Sequence, residues 1–311
     1  MNAQHSPSPW HQGERDMHAR IGAAAEMEAL GRRVIRPFMP GHHSAFYATL
    51  PFLVGGIVDA EGNPWATFLN GDVGFAQAPS ATQLDLATAL DPSDPARAGF
   101  ATGQPIGLLG IELQTRRRNR ANGRISAFSG NRISVEITQT MGNCQKYIQT
   151  RAPDTVDPVH LLDSATDPLN YAATSDEFHK AVTNADTFFV ASYAVVDGER
   201  QVDVSHRGGT PGFIAIDQDG TLTVPDYPGN RFFNTLGNIS QTHRAGLLIP
   251  DFETGMTLQL TGHAELVTDP EAHLRFKGAE RAWRVKPTHI ILRRAALANN
   301  WSLRERSPFN P

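Results

Sequence analysis

Apolar and polar positions along the chain fall first into a helical rhythm and then into a strand rhythm. Over residues 14–36 helix-forming residues carry Met17, Ile21, Ala24, Met27 and Leu30 near helical spacing, predicting a helix ended by Gly31 or Pro37. Residues 40–50 predict a second short helix with Phe46, Tyr47 and Leu50 on its apolar side. From Pro51 the period shortens. PFLVGGIVDAEGNPWATFLNG reads as a hairpin turning at DAEGNP, and residues 84–89, 106–113, 123–128 and 132–140 read as further strands. Residues 153–168, rich in Asp and Pro without a period, predict a linker. Residues 175–184 predict a short helix with Ser175 as N-cap. Strands then return. FFVASYAVVDGERQVDVSH is a second hairpin turning at DGE, followed by TLTVP, AGLLIPDF, GMTLQLTGHAELV and WRVKPTHIILRRAAL, the last with a kink expected at Pro287. The tail holding Trp301 is expected to lie over another part of the molecule as a lid, with Trp283 in the core.

The two strand-rich halves repeat each other. Asp59 and Phe75 are 16 positions apart, as are Asp197 and Phe213; Gly107 and Gly123 are 16 apart, as are Gly246 and Gly262. The offsets are 138 and 139 residues, and DVGF aligns with TPGF, IGLLG with AGLLI, and NGRI with TGHA. A repeat far longer than the roughly 20–50 residues of a solenoid unit implies two related domains. The predicted fold is mainly β with helical additions (α+β): two tandem antiparallel barrels packed as a pseudo-dimer within one chain, with the ligand groove between them. The expected organisation is a helical extension over 1–50, a first barrel over 51–152, a linker over 153–174 and a second barrel over 175–311.

Composition narrows the function. The chain has 311 residues, 40% hydrophobic and 19% charged, enough for a large core. A formal charge of −4 gives no electrostatic case for nucleic acid. No apolar run reaches the roughly 20 residues of a membrane helix, the polar start lacks a signal core, and one cysteine fits a reducing compartment, so a cytoplasmic location is expected. No GxGxxG, P-loop, HExxH or GxSxG stands in a fitting context. His42-His43 lacks a third ligand, so no metal site is expected.

Candidate chemistry concentrates in residues 204–238, VSHRGGTPGFIAIDQDGTLTVPDYPGNRFFNTLGN, read as two strands and a polar loop. Arg207 and Arg231 stand on its two arms, among glycines and the short polar residues Ser205, Asn230, Asn234, Thr235 and Asn238. Guanidinium groups beside glycines and short hydrogen-bonding side chains suit phosphate capture. The plainer reading is a hairpin with turn glycines and surface arginines. The first half has no counterpart of PDYPGNRFFNTLGN, whereas MGNCQKYIQTR follows only the first half, so one composite site per chain is expected. RRRNR, residues 116–120, reads as a solvated hairpin tip, or as a reach toward an anionic ligand. His206, His243 and His263 are candidate general acids.

The segments RGGTPGF, PDYPGNRFFNTLGNI, AGLLIPDFETGMTLQLTGHAEL and NCQKYIQTR together resemble the pyridoxamine 5′-phosphate oxidase-like superfamily of FMN-binding split barrels, nearest its flavin-nucleotide-binding branch. The resemblance covers about two-thirds of the second half and the first half more weakly. It implies FMN as cofactor, with Arg207, Arg231, Asn234 and Thr235 toward its phosphate and ribityl chain and Ser205, Asn230 and Asn238 as helpers. His206 stands where a less basic residue is expected. Cys144, Lys146 and Arg151 resemble the segment by which the partner barrel closes the site, with Tyr147 beside the flavin. The implied activity is a flavin-dependent oxidoreductase acting on a small molecule, with NAD(P)H as a possible reductant. The alternatives are a flavin-sensing module without turnover, a barrel holding deazaflavin F420 or haem, and a pure interaction surface; a further homodimer of the pseudo-dimer is left open.

Overall fold

In a computed structural model, residues 7–154, 169–269, 271, 273–294 and 296–311 are described. Three helices come first: α1 (Gln12–Arg20), α2 (Ala24–Val34) and α3 (Gly41–Ala48). The single helix expected over 14–36 is therefore two. Ala23 N–H bonds back to the His18 carbonyl and Gly22 takes a left-handed φ of 69° that ends α1. His11 caps α1: its Nδ1 accepts from the Gly13 N–H at 3.1 Å, and a carboxyl oxygen of Glu14 accepts from the His11 N–H at 2.9 Å.

The first sheet is built from β1 (Phe52–Val58), β2 (Pro64–Asn70), β3 (Ala76–Ser80), β4 (Gln83–Leu86), β5 (Pro105–Glu112), β6 (Arg117–Ser129) and β7 (Arg132–Gly142), in the order β2-β1-β5-β6-β7-β4-β3. After β8 (Thr150–Pro153), β9 (Leu169–Asn170) and α4 (Asp176–Asn184) comes the second sheet. Its strands are β10 (Thr187–Val196), β11 (Glu199–Gly208), β12 (Ala215–Ile216), β13 (Leu222–Asp226), β14 (Arg244–Pro250), β15 (Thr257–Leu266) and β16 (Arg281–Arg293). They run in the order β11-β10-β14-β15-β16-β13-β12, with β9 beside β16. Adding nine to each label of the first sheet reproduces the second. The duplication is thus a property of the fold.

It extends to single residues. Gly123 and Gly262 each stand at a register shift, opposite Ile137 and Pro287. The residue squeezed out, Thr138 or Thr288, donates its hydroxyl to a carbonyl across the bulge, that of Asn122 at 3.3 Å or Thr261 at 3.1 Å. The kink expected at Pro287 is this bulge.

Central strands read as unbroken apolar runs because both of their faces are covered. Phe188 and Val190 of β10 point into the second barrel, while Phe189 and Ala191 join Phe52, Val54, Leu109 and Leu248 in a separate core between the barrels. Trp301 is 2% exposed and belongs to this inter-barrel core, so it is no lid. Its strand, β17 (Trp301–Glu305), pairs with β8 and ties the C-terminus to the end of the first barrel. Trp283 is fully buried within the second barrel. The expected linker holds β8 and β9 at its edges; its residues 155–168 lie outside the described ones.

The stretch 204–238 departs from two strands and a loop. Between β13 and β14 the chain forms α5 (Asn234–Thr242), so Asn234, Thr235 and Asn238 are helical. Phe233, at φ 58°, turns the backbone into the helix. The equivalent connection of the first barrel is only the 3₁₀ turn Pro95–Gly99.

Candidate functional site

A cleft opens where the first barrel's β6 and the segment after β7 meet β11, β13 and the start of α5. The first barrel contributes Arg118, Arg120, Asn143, Lys146 and Tyr147; the second contributes Ser205, His206, Arg207, Asp226, Tyr227, Asn230, Arg231, Asn234, Thr235 and Arg281, among others. Six cations thus line the cleft with one carboxylate, Asp226. The two polar clusters that the sequence assigns to different halves do converge.

Their individual roles differ from expectation. Arg207 donates to Asp226 at 2.6 Å, and Arg281 holds the other oxygen of the same carboxylate at 2.9 Å while lying over the Phe233 ring. Arg231 stands at a left-handed φ of 60° and reaches outward to Glu26 on α2, so the two expected arginines engage separate carboxylates. His18 fixes the Arg231 carbonyl at 2.9 Å. Ser205 and Asn234 are buried in a network: Arg120 donates to Asn234 at 2.5 Å and to Ser205 at 2.7 Å, pairs with Asp203 at 2.9 Å, and Asn234 donates to Glu14. Asn230 reaches across to Asn143 at 3.5 Å. Asn238 bonds Ser192 at 3.0 Å and lies outside the cleft lining.

The segment after β7 covers one end. Tyr147 donates from its hydroxyl to the Pro228 carbonyl at 3.0 Å and packs its ring 5.3 Å from that of Tyr227. Burial pushes its phenol up to about 12. Lys146 lies over the ring of Phe309. Cys144 is absent from the lining; its carbonyl accepts from Arg118 Nε at 2.5 Å. Arg151 is turned away, donating to both oxygens of Asp186 at 2.7 Å and stacking on Phe252.

Among the described residues four that line the cleft carry buried polar atoms without a partner: Arg120 at Nε, Asn143 at Nδ2, His206 and Thr235. His206 is 5% exposed and neither ring nitrogen is hydrogen-bonded; Thr235, 1% exposed, has an unpaired hydroxyl one residue into α5. Burial, then Arg118, Arg151 and Arg207, hold His206 well below the usual imidazole range, so it is neutral at pH 7. Orphaned polar groups beside a helix N-terminus and surplus cations suit a bound anion.

Arg281 is not singled out by sequence; Arg118 and Arg120 fall in RRRNR, for which a reach toward an anionic ligand is the second of the two sequence readings. The signal was available: RRRNR lies on β6, and strand alternation sends Arg118 and Arg120 to one face. The reading as a solvated hairpin tip holds only for the exposed Arg117; Arg116 is tied to the Ile148 carbonyl and to Glu305.

The pseudo-equivalent position at the other side of the interface is filled. Strand register places Thr257 and Gln259 where Arg118 and Arg120 stand, and Thr67, Phe68 and Leu69 where Ser205, His206 and Arg207 stand. Buried Arg293 donates to Asp94 at 2.8 Å, Gln259 at 3.1 Å and Asp91 at 2.6 Å; Gln259 and Thr67 also bond Asp94. Among the described residues no group of His, Cys, Asp or Glu has a metal-holding arrangement, and no helix is long and apolar enough to cross a membrane.

Comparison with known proteins agrees with the fold. The family model of Pyridoxamine 5′-phosphate oxidase matches residues 174–298. No curated protein matches the chain. Among solved structures the chain is similar to HupZ of Group A Streptococcus (18% identity, 37% of this chain, 90% of that one, TM-score 0.30). It is also similar to the FAD binding protein of Mycobacterium smegmatis (18%, 40% and 98%, TM-score 0.27). A third is HutZ of Vibrio cholerae, described as a heme storage protein (11%, 39% and 94%, TM-score 0.28). The alignments cover 37–40% of this chain. The match over 174–298 covers the second of two domains whose sheet order repeats strand for strand, so the likeness to that family is one of the second domain.

Proposed function

We propose that the inter-barrel cleft binds FMN and that the protein is a flavin-dependent oxidoreductase acting on a small molecule. The observation that carries this reading is the cationic cleft between the barrels, with buried, unpartnered His206 and Thr235 beside the start of α5. A phosphate matches that end: α5 offers backbone N–H groups and the Thr235 hydroxyl, and Arg207 and Arg118 offer guanidinium donors. Tyr147 and Tyr227 are the rings available to a planar heterocycle. The flavin supplies the electron chemistry when bound; the chain's own groups bind, orient and shield it. A reduced nicotinamide is the proposed electron donor.

A second reading, haem, is favoured by one observation: His206, in the cleft lining, carries a neutral imidazole with neither enclosed nitrogen hydrogen-bonded, the form that ligates iron once the ring turns toward the cleft.

Mass determination of the small molecule released on denaturation tests both. FMN, with flavin absorbance bleached anaerobically by NADH or NADPH, supports the enzyme. Flavin without bleaching by either nucleotide favours a binding module. A Soret band replaces the flavin reading.

A further inference from the structure

The geometry points to Arg118 as the principal oxyanion receptor of the cleft, supplied by the first barrel to a ligand held mainly by the second. It depends on the cleft being a ligand site, not on the ligand being a flavin.

The other basic groups of the cleft already have company. Arg120 pairs with Asp203, Arg207 and Arg281 share Asp226, Arg231 pairs with Glu26, and Lys146 covers Phe309. Arg118 alone among these guanidinium groups has no carboxylate partner among the described residues. Among the described residues its hydrogen bonds go to two carbonyls, Cys144 at 2.5 Å and His206 at 3.4 Å. Those bonds orient the side chain, because they come from the segment after β7 on one side and from β11 on the other. Nη2 makes no hydrogen bond to a described residue and is not among the enclosed orphan atoms, which leaves it open to the cleft.

The surroundings make this costly without an anion. Burial and the neighbouring charges of Arg120 and Arg207 push the guanidinium downward from its usual range. Arginine keeps its proton at neutral pH, so these effects appear as a destabilisation that a bound counter-charge offsets rather than as deprotonation. A doubly charged oxyanion offers the missing counter-charge and acceptors for a forked donor. Two anchored carbonyl contacts and an open Nη2 fit a group held in place for such a ligand. On this account a phosphate monoester, or free phosphate itself, is the recognised chemistry.

Thermal unfolding of the full chain with inorganic phosphate, against sodium chloride at equal ionic strength, tests the inference. Phosphate should raise the melting temperature of the native protein. Arg118→Met should melt at or above the native protein in chloride, since an unpaired charge is gone, and should bind phosphate at least about tenfold more weakly. Arg118→Lys should recover part of the phosphate response. A native protein indifferent to phosphate, an Arg118→Met variant with the full response, or one melting well below the native protein in chloride would each overturn the assignment. A phosphate response without flavin retention would leave Arg118's role standing and remove the FMN reading.

Discussion

Gly107 of β5 and Gly246 of β14 hold the same place in the two barrels, and each is pressed against the other barrel's hairpin. A β-carbon on Gly107 would lie 2.9 Å from the Asp203 Cα, and one on Gly246 would overlap the Pro64 carbonyl oxygen. Asp203 and Pro64 belong to the equivalent strands β11 and β2. Gly107→Ala and Gly246→Ala should therefore both force the barrels apart, at a cost of about 1–3 kcal/mol or more each. The second should be worse, because a backbone oxygen cannot rotate aside. Denaturation midpoints of the two variants check the order; equal and small losses would show that the contact relaxes freely.

The filled position around Arg293 predicts stoichiometry. Asp94, 6% exposed, is bonded by Arg293, Gln259 and Thr67, so no counter-charge is wanting there. One flavin per chain is expected at saturation. Titration monitored by flavin fluorescence gives the number, and two equal sites would contradict the asymmetry.

Glu14 predicts a pH dependence. Its carboxyl is 4% exposed, and burial raises it to about 8 from an ordinary value near 4.5. The folded protein thus holds a proton that the unfolded chain releases between those values. Stability from this group is present below about pH 4.5 and is lost as pH rises toward 8, by about 1.4 kcal/mol per unit at most. Glu14→Gln mimics the protonated form and suits the same capping position. The variant should gain most over the native protein at pH 8 and little at pH 5. A gain independent of pH would mean that Glu14 is ionised in the fold.

Gln149 predicts how the covering segment is held. It is fully buried; its Oε1 accepts from the Ser307 N–H at 2.7 Å and from Asn310 at 3.2 Å, and its Nε2 donates to the Gly209 carbonyl at 3.2 Å. Ser307 in turn accepts from the Tyr147 N–H at 3.1 Å. Gln149→Leu should loosen residues 143–149, costing roughly 1–3 kcal/mol for the groups left unpaired. Faster labelling of the sole cysteine, Cys144, by a thiol reagent is the expected sign; an unaltered rate would free the C-terminal segment from this role.

Much of this architecture was legible in the sequence for physical reasons. Alternation and turn chemistry located both long hairpins, and the spacing of Gly107, Gly123, Gly246 and Gly262 exposed the repeat because close packing and bulges leave no room for a side chain there. Ser175 caps α4 as its type suggests, accepting from the Phe178 N–H at 3.2 Å. What stayed hidden depends on tertiary company. Asn234, Thr235 and Asn238 read as loop residues because short polar side chains favour turns, yet α5 is held by burial of Leu236 and Ile239 against the second core. Arg207 and Arg231 looked like a matched pair, but the carboxylates that claim them, Asp226 and Glu26, come from β13 and from a helix some 200 residues earlier in the chain. The run 116–120 left two readings open because an arginine-rich stretch beside a turn is ordinarily solvated, and the approach of β11, whose His206 carbonyl accepts from Arg118, is not visible in the sequence.

The bridge of Arg293 to Asp94 also says something about descent. In an assembly of two identical chains every substitution is made twice, so a residue that obstructs one pocket obstructs both, and the protein loses its ligand altogether. Covalent fusion of the copies removes that coupling: one pocket is free to drift into a structural rivet while its twin stays under selection. The side of the interface that Arg293 fills keeps the sheet order of its twin without keeping its cleft-lining arginines.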